Sequence, residues 1–256
     1  MTVTNLQSTD RVAIRNAMSH LVEHGVDGVV ALAPVLSVAQ ALPAGLPMVG
    51  VEGEPTAGID VVSVDQHAGA SAATRHLLDL GHLSVWHVAG PSDSVEANQR
   101  TAGWRSALEC AGADISPPLY GDWSARSGFE AGRVLARIPD LSAIFVANDA
   151  MTVGVLRALH ECGRRVPGDV SLVGFDDVPE AAYLNPPLTT IHQDFGEVGR
   201  RSFALLLDRI ESGARPPQRQ LVEPTLVIRG STASIRSTNE GDRIESAIAI
   251  RSAAVR

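Results

Sequence analysis

The sequence has few cysteines and no long apolar run, and both features limit the classes of protein to which it can belong. Only two cysteines occur among 256 residues. Cys110 and Cys162 each precede a glycine in a predicted helix, and they are expected to be buried, reduced thiols of a cytoplasmic protein rather than a disulfide. No run of about 18 apolar residues is present, so no segment is predicted to span a membrane.

Signals for export, nucleic-acid binding and catalysis are also missing from the sequence. The first residues have neither a basic segment nor an apolar one of the secretory type, so a cytoplasmic location is expected. A net charge of −8 argues against binding DNA unaided, because cationic contacts to phosphates supply most of that affinity. The sequence contains no Gly-x-Gly-x-x-Gly, P-loop or Gly-x-Ser-x-Gly motif, so an enzyme is not expected.

No metal or other cofactor is predicted. His20 and His24 lie four residues apart on the first predicted helix and could share a metal ion in principle. No third ligand lies near them in the sequence, so solvated helix histidines are the favoured interpretation.

Strand patterns alternate with helix patterns along most of the chain. Short apolar runs predict strands at 26–33, 48–51, 61–64, 84–89, 143–147, 170–175 and 189–192. Amphipathic spacing predicts helices that begin after Asp10 and over 66–80, 93–112, 124–137, 149–162 and 195–212. Alternation of this kind predicts a doubly wound α/β fold with mostly parallel sheets.

Polar side chains follow the predicted strands at the points where those strands end. Asp176 and Asp177 follow one strand, Asn148 another and Gln193 a third, while Arg100 lies early in the helix after strand 84–89. Ligands of open parallel sheets bind at the carboxyl ends of the strands. A carboxylate, a guanidinium and two amides together can bind the neighbouring hydroxyls of a sugar or nucleoside.

Other roles are open to several of these residues. Asp149 is expected to be a helix N-cap, a position where aspartate is favoured. Asp177 should point away from Asp176 and make a loop or helix-start bond. Arg100 can also pair with Glu96 at helical spacing. Trp123, in a loop, can place its ring against the C–H face of a sugar.

Several phrases of the sequence occur in the order found in one protein family. They are VDGVV at 26–30, HLLDLGH at 76–82, AGP at 89–91, FVANDAM at 145–151, VPGDVSLVGFDD at 166–177 and PPLTTI at 186–191. From Asn5 to Ser234 the chain resembles the sensor domain of the lactose-repressor (LacI) family of transcription regulators. The resemblance implies a periplasmic-binding-protein-like fold with two lobes, three chain crossings and a ligand in the cleft between the lobes.

The same resemblance divides the chain and assigns its ligand contacts. It places 1–64 plus 194–218 in lobe one and 65–193 plus 219–234 in lobe two, and 235–256 is expected to be a mobile tail. Four polar residues match effector contacts of the family, two aromatic residues match apolar contacts, and an acid matches a contact from lobe one: Arg100, Asn148, Asp176, Gln193, Trp123, Phe195 and Glu52.

Family members begin with a helix-turn-helix module and a β-α-β unit that precede the part matched here. The first lobe is therefore expected to be incomplete, and operator DNA to be bound only through a helix-turn-helix domain absent from this chain. The expected function is the effector-sensing and homodimer-forming region of a sugar-responsive regulator, most simply a repressor. The alternatives are a sugar-binding protein of a transport system and a truncated regulator without function.

Overall fold

The computed structural model of the protein describes residues 10–32, 45–53, 59–213 and 216–235, together with Val3, Val38, Gln40 and Ala41. The predicted mobile tail lies outside the described residues, apart from Ile235. Within the described ranges the fold is α/β with two parallel sheets, as the sequence predicts. No helix in those ranges has the length and apolar character needed to cross a bilayer.

The first sheet has four parallel strands, and a helix covers each face. Its strand order is β1 (Val29–Ala31), β2 (Met48–Val51), β3 (Asp60–Val64) and β9 (Arg219–Val222). Side chains alternate across the pleat. Met48 therefore packs with helix α1 (Arg11–Glu23) on one face, while Val49 packs with helix α6 (Phe195–Ser212) on the other.

The second sheet is also parallel and is covered on both faces. Its order is β5 (Leu119–Tyr120), β4 (Trp86–Ala89), β6 (Ala143–Val146) and β7 (Ser171–Val173). Helices α2 (Gln66–Asp79) and α3 (Val95–Ala111) pack together, as do α4 (Ala125–Leu135) and α5 (Asp149–Glu161). In β6 the side chain of Phe145 points toward the core that holds Trp104 and Leu77, and that of Ile144 toward the core that holds Leu135 and Val155.

Two short strands that come after β7 in the chain form a small antiparallel sheet. Strand β8 (Thr190–His192) pairs with β10 (Thr225–Val227). A 3₁₀ helix over Pro179–Tyr183 lies between β7 and β8. The sequence analysis missed β5, β9, β10 and this 3₁₀ helix, because elements of two to five residues are too short to show a period. Strand β9 belongs to the first sheet, although the predicted division placed 219–234 with lobe two.

Most predicted helices have the boundaries that their capping residues indicate. Asp10 accepts hydrogen bonds from the amides of Val12 and Ala13 at 2.9 and 2.8 Å, and α1 ends before Gly25, which has φ +66°. Ser94 and Ser124 cap α3 and α4 in the same way. A side-chain oxygen at this position satisfies a backbone donor that the helix itself leaves unpaired.

Three sequence predictions about individual side chains are wrong. Asn148, not Asp149, is the N-cap of α5, and Asp149 is the first helical residue and is buried. The apolar spacing of 195–212 predicts an inner face of Val198, Leu205, Leu206 and Ile210; the first three are buried, but Ile210 is 39% exposed. Cys110 and Cys162 are unpaired as expected but exposed rather than buried, since each lies in the final turn of its helix.

Candidate functional site

Four buried or partly buried polar side chains form a closed ring of hydrogen bonds beyond the ends of β3, β7 and β8. Arg100 Nε donates to Oε1 of Gln66 at 2.8 Å, and Gln66 Nε2 donates to Oε1 of Gln193 at 2.9 Å. Gln193 Nε2 then donates to Oδ1 of Asp176 at 2.7 Å. Arg100 Nη1 closes the ring on the same Asp176 oxygen at 3.4 Å and also donates to the carbonyl of Ala147.

The direction of every hydrogen bond in this ring is fixed by its charged members. A guanidinium only donates and a carboxylate only accepts. Gln66 must therefore present its oxygen to Arg100, which leaves its nitrogen for Gln193, and Gln193 must present its nitrogen to Asp176. The arrangement thus positions both amides without any contribution from solvent.

The ring leaves one donor group and one acceptor atom for a ligand. Among the described residues no bond is made by Nη2 of Arg100 or by Oδ2 of Asp176. The Arg100 side chain is 6% exposed, and that of Asp176 is 27% exposed. A guanidinium N–H beside a carboxylate oxygen can bind two neighbouring hydroxyl groups, one as acceptor and one as donor.

Aromatic rings hold the guanidinium of Arg100 on two sides. Its central carbon lies 3.8 Å from the centre of the Phe175 ring and 5.4 Å from that of Trp123. Trp123 adopts φ +72°, and a Cβ at Gly90 would lie 2.3 Å from its ring. Glycine at position 90 therefore allows the indole to lie directly against the backbone after β4.

Asn148 belongs to the same group, but its amide has structural partners. Its Oδ1 accepts from the amide of Met151 at 2.8 Å as the cap of α5, and its Nδ2 donates to the carbonyl of Trp123 at 3.1 Å. Asn148 thus fixes the loop that carries the indole. The structure places it beside the predicted site.

Burial and charge act in opposite directions on the ionisable groups of the site. Burial raises the pKa of Asp176, and the positive charge of Arg100 and the hydrogen bond from Gln193 partly offset that rise. Burial lowers the pKa of Arg100, while the carboxylates of Asp176, Glu52 and Glu96 oppose that shift. An ion pair this deep is retained only where further hydrogen bonds satisfy both partners, as the ring does.

Besides Asn148, two predicted site residues lie outside this ring and its aromatic shell, Glu52 and Phe195. Glu52 follows β2 with φ +66°, and its Oε1 accepts from the amide of Val64 at 3.2 Å. Burial raises its pKa, and the hydrogen bond from the Val64 amide is the main effect that opposes that rise. Phe195 begins α6 and is 57% exposed.

Gln66 is the member of the ring that the sequence analysis missed. It is 1% exposed and directly follows Asp65, the N-cap of α2. The rule that found Asp176 and Gln193, a polar residue just beyond the end of a strand, applies equally to this position.

Asp177 points away from the ring and stabilises a neighbouring segment. Its carboxylate pairs with Arg229 at 2.7 Å and with His192 at 3.1 Å. The prediction that Asp176 and Asp177 face different partners is confirmed, but the partner of Asp177 is the chain after β10 rather than a loop or helix start. Across the part of the chain that the structure describes, no three potential metal ligands cluster.

A family comparison matches most of this region. The periplasmic binding protein-like domain family matches residues 74–232, which include Arg100, Asn148, Asp176 and Gln193. The ribose operon repressor of Escherichia coli (strain K12) is 34% identical over 241 residues, covering 90% of this chain and 72% of the repressor. The chain belongs to the LacI family of transcription regulators. The sequence-based resemblance is thereby confirmed.

Other relatives in the LacI family are similarly close. The regulator CelR of Thermobifida fusca is 39% identical over 182 residues, and the lactose operon repressor of Klebsiella pneumoniae is 37% identical over 190 residues. The alignments cover 70% and 73% of this chain. The chain spans about half the length of these two relatives, 54% and 52% respectively.

Solved structures of LacI-family proteins share the fold. A dimeric Lac repressor superposes with a TM-score of 0.82 at 31% identity, covering 92% of this chain and 88% of that one. A complex of CelR with cellobiose gives 0.77 at 35% identity, covering 86% and 70%. A regulator from Enterococcus faecium with bound ribose gives 0.75 at 28% identity, covering 86% and 84%. The periplasmic-binding-protein-like fold predicted from the sequence is confirmed.

Proposed function

We propose that this chain is the effector-sensing and dimer-forming region of a sugar-responsive transcription regulator of the LacI family, acting as a repressor. The observation that carries the proposal is the ring formed by Arg100, Gln66, Gln193 and Asp176. It presents one guanidinium N–H and one carboxylate oxygen side by side. That pair suits neighbouring hydroxyls, and related structures hold cellobiose and ribose.

The ligand would bind between two lobes. Lobe one would comprise 1–64 and 194–218, to which the pairing of β9 with β3 adds residues 219–222. Lobe two would hold 65–193 and the segment from 223 to 234. Trp123 and Phe195 would contact the apolar face of the sugar, Asn148 would contribute its amide, and Glu52 would approach from lobe one.

Ligand binding would then shift the balance between two lobe arrangements. A ligand changes that balance only if it binds one arrangement more tightly than the other. The homodimer would transmit the change to operator DNA through a helix-turn-helix domain, in a cytoplasmic protein without enzymatic activity. A transporter's sugar-binding protein would share the fold, but the relatives named above are regulators.

Isothermal titration with cellobiose and ribose tests the proposal. Asp176→Ala should weaken binding of whichever sugar binds by about tenfold or more, because a hydrogen bond to a charged group contributes about 1.5–3 kcal/mol. Asp169→Ala is the matched control, since Asp169 lies before β7 and Asp176 after it, and Asp169 pairs only with exposed Arg165. Equal affinity in the two variants would rule out this pocket.

A further inference from the structure

Three helices begin at the edge of the fold where the ring lies, and each begins with an acidic residue. Asp65 is the N-cap of α2, Glu96 lies in the first turn of α3, and Asp149 lies in the first turn of α5. Free helix N-termini attract anions through their unpaired amides and the helix dipole. An acid in the cap or first turn offsets that attraction.

At each of these helix starts the cap also occupies one of the free backbone donors. The amide of Ala68 donates to Asp65 at 2.8 Å, that of Ala97 to Ser94 at 3.2 Å, and that of Met151 to the Asn148 side chain at 2.8 Å. Phosphate sites at helix N-termini depend on such donors being free. The helix N-termini beside the ring therefore attract an anionic group only weakly.

The guanidinium of Arg100 pairs with one carboxylate, and the charges of two others act on it. Asp176 Oδ1 lies 3.4 Å from Arg100 Nη1, and Glu52 and Glu96 act on the same cation by electrostatic attraction. Glu96 lies four residues before Arg100 on α3, and its Oε2 accepts from Ser94 Oγ at 2.7 Å. One positive charge thus faces three negative groups.

Two further basic side chains nearby are held by a fourth carboxylate. Arg229 and His192 both pair with Asp177, at 2.7 and 3.1 Å. Within the described residues around the ring, each of these basic groups already has an acidic partner. An additional anion would therefore meet positive charges that these carboxylates already offset.

We propose that this site accepts uncharged saccharides and rejects their anionic counterparts, the sugar phosphates and uronates, and that Glu52 and Glu96 set this selectivity. The proposal rests on the saccharide site proposed above. Carboxylate oxygens accept hydrogen bonds from sugar hydroxyls but repel a phosphate or a second carboxylate. Like charges placed together act mainly to exclude the wrong partner.

Matched pairs of sugars test the selectivity by isothermal titration of the wild-type protein. The pairs are ribose with ribose 5-phosphate and glucose with glucuronate, whose members differ mainly in charge. For any pair that binds, the uncharged member should bind at least about tenfold more tightly, a difference of about 1.4 kcal/mol. Equal or tighter binding of the anionic member would overturn the proposal.

Single charge-removing variants then identify the residues responsible. Glu52→Gln and Glu96→Gln should each raise affinity for the anionic member relative to the uncharged one, by about tenfold. Glu109→Gln is the matched control, because it removes the same charge from α3 about 20 Å further along the helix. If the first two variants shift the ratio no more than Glu109→Gln does, the assignment is wrong.

Binding of inorganic phosphate tests the charge selectivity independently of the proposed function. The wild-type protein should show no saturable binding of low-millimolar phosphate, whereas Glu52→Gln/Glu96→Gln/Asp176→Asn, which leaves Arg100 without these carboxylates, should bind it. Phosphate binding to both proteins, or to neither folded protein, would overturn the charge selectivity. If the phosphate result holds but no saccharide binds the wild type, the saccharide site and the proposed function fail, while the rejection of anions stands. If the triple variant unfolds, the single variants Glu52→Gln and Glu96→Gln still test the charge selectivity.

Discussion

The amide of Gln66 donates a 2.9 Å hydrogen bond to Oε1 of Gln193, a residue 127 positions away in the chain. Gln66 follows β3 of the first sheet and opens α2, which packs beside the second sheet. Gln193 follows β8 and precedes α6, which returns to the first sheet. The bond therefore connects two of the segments that run between the sheets, and both residues also contact the ion pair of Arg100 and Asp176.

Removing either glutamine should show that the two act through each other. Gln66→Met and Gln193→Met each leave buried polar partners unsatisfied, which costs about 1–3 kcal/mol of unfolding free energy. The double variant should lose less than the sum of the single losses, by about 0.5–3 kcal/mol. Urea denaturation of the four proteins measures this coupling, and additive losses would contradict a shared hydrogen bond.

Arg100→Lys should destabilise the protein although it keeps the positive charge. An ammonium group lacks the planar set of donors that lets Arg100 reach Gln66, Ala147 and Asp176 together. The unfolding free energy should fall by about 1–3 kcal/mol because a buried partner loses its bond. Arg105→Lys, at an exposed position of the same helix, should change it by no more than about 0.5 kcal/mol. Equal effects would show that charge alone matters.

The stability contributed by Asp149 should decrease as the pH rises. Burial raises its pKa from 3.8 to about 6, despite hydrogen bonds from Thr190 and Val178. The folded state therefore binds a proton that the unfolded state has released. This stability is fully present below pH 3.8 and is lost as the pH rises through about 6, a change on the order of 3 kcal/mol. Urea unfolding across this range should show the unfolding free energy of wild type falling, relative to that of Asp149→Asn, as the pH rises.

His87 should make the stability of the protein depend on pH in the opposite direction. Its ring is fully buried, stacks 4.8 Å from Phe145 and 5.1 Å from Trp104, and burial lowers its pKa from 6.5 to about 4. The stability that neutral His87 contributes is present above pH 6.5 and is lost as the pH falls through about 4. This contribution to the unfolding free energy is again on the order of 3 kcal/mol.

The two residues should largely cancel in the wild-type protein, so each slope appears only when the other residue is changed. His87→Phe should reveal the fall in stability with rising pH that Asp149 causes. His160→Phe, at an exposed position, should leave the wild-type profile unchanged. If His87→Phe and wild type have parallel profiles between pH 4 and 6, the buried histidine does not titrate as expected.

Prediction from the sequence worked best where a pattern is periodic or a cap is local. The bounds of α2 and α6 match the predicted helices to within one residue. It failed where a partner lies far along the chain. Arg229, which pairs with Asp177 from 52 positions away, gave no local sign of its role.

The sequence by itself determined the α/β alternation, the helix caps and the position of polar residues at strand ends, because these depend on neighbours within about a turn or a strand. Only the tertiary structure decided that Gln66 closes the ring, that Asn148 holds the carbonyl of Trp123, and that Arg100 pairs with Asp176. Those relationships join separate elements, and their energies depend on distance and burial. Neither quantity exists until the chain is folded.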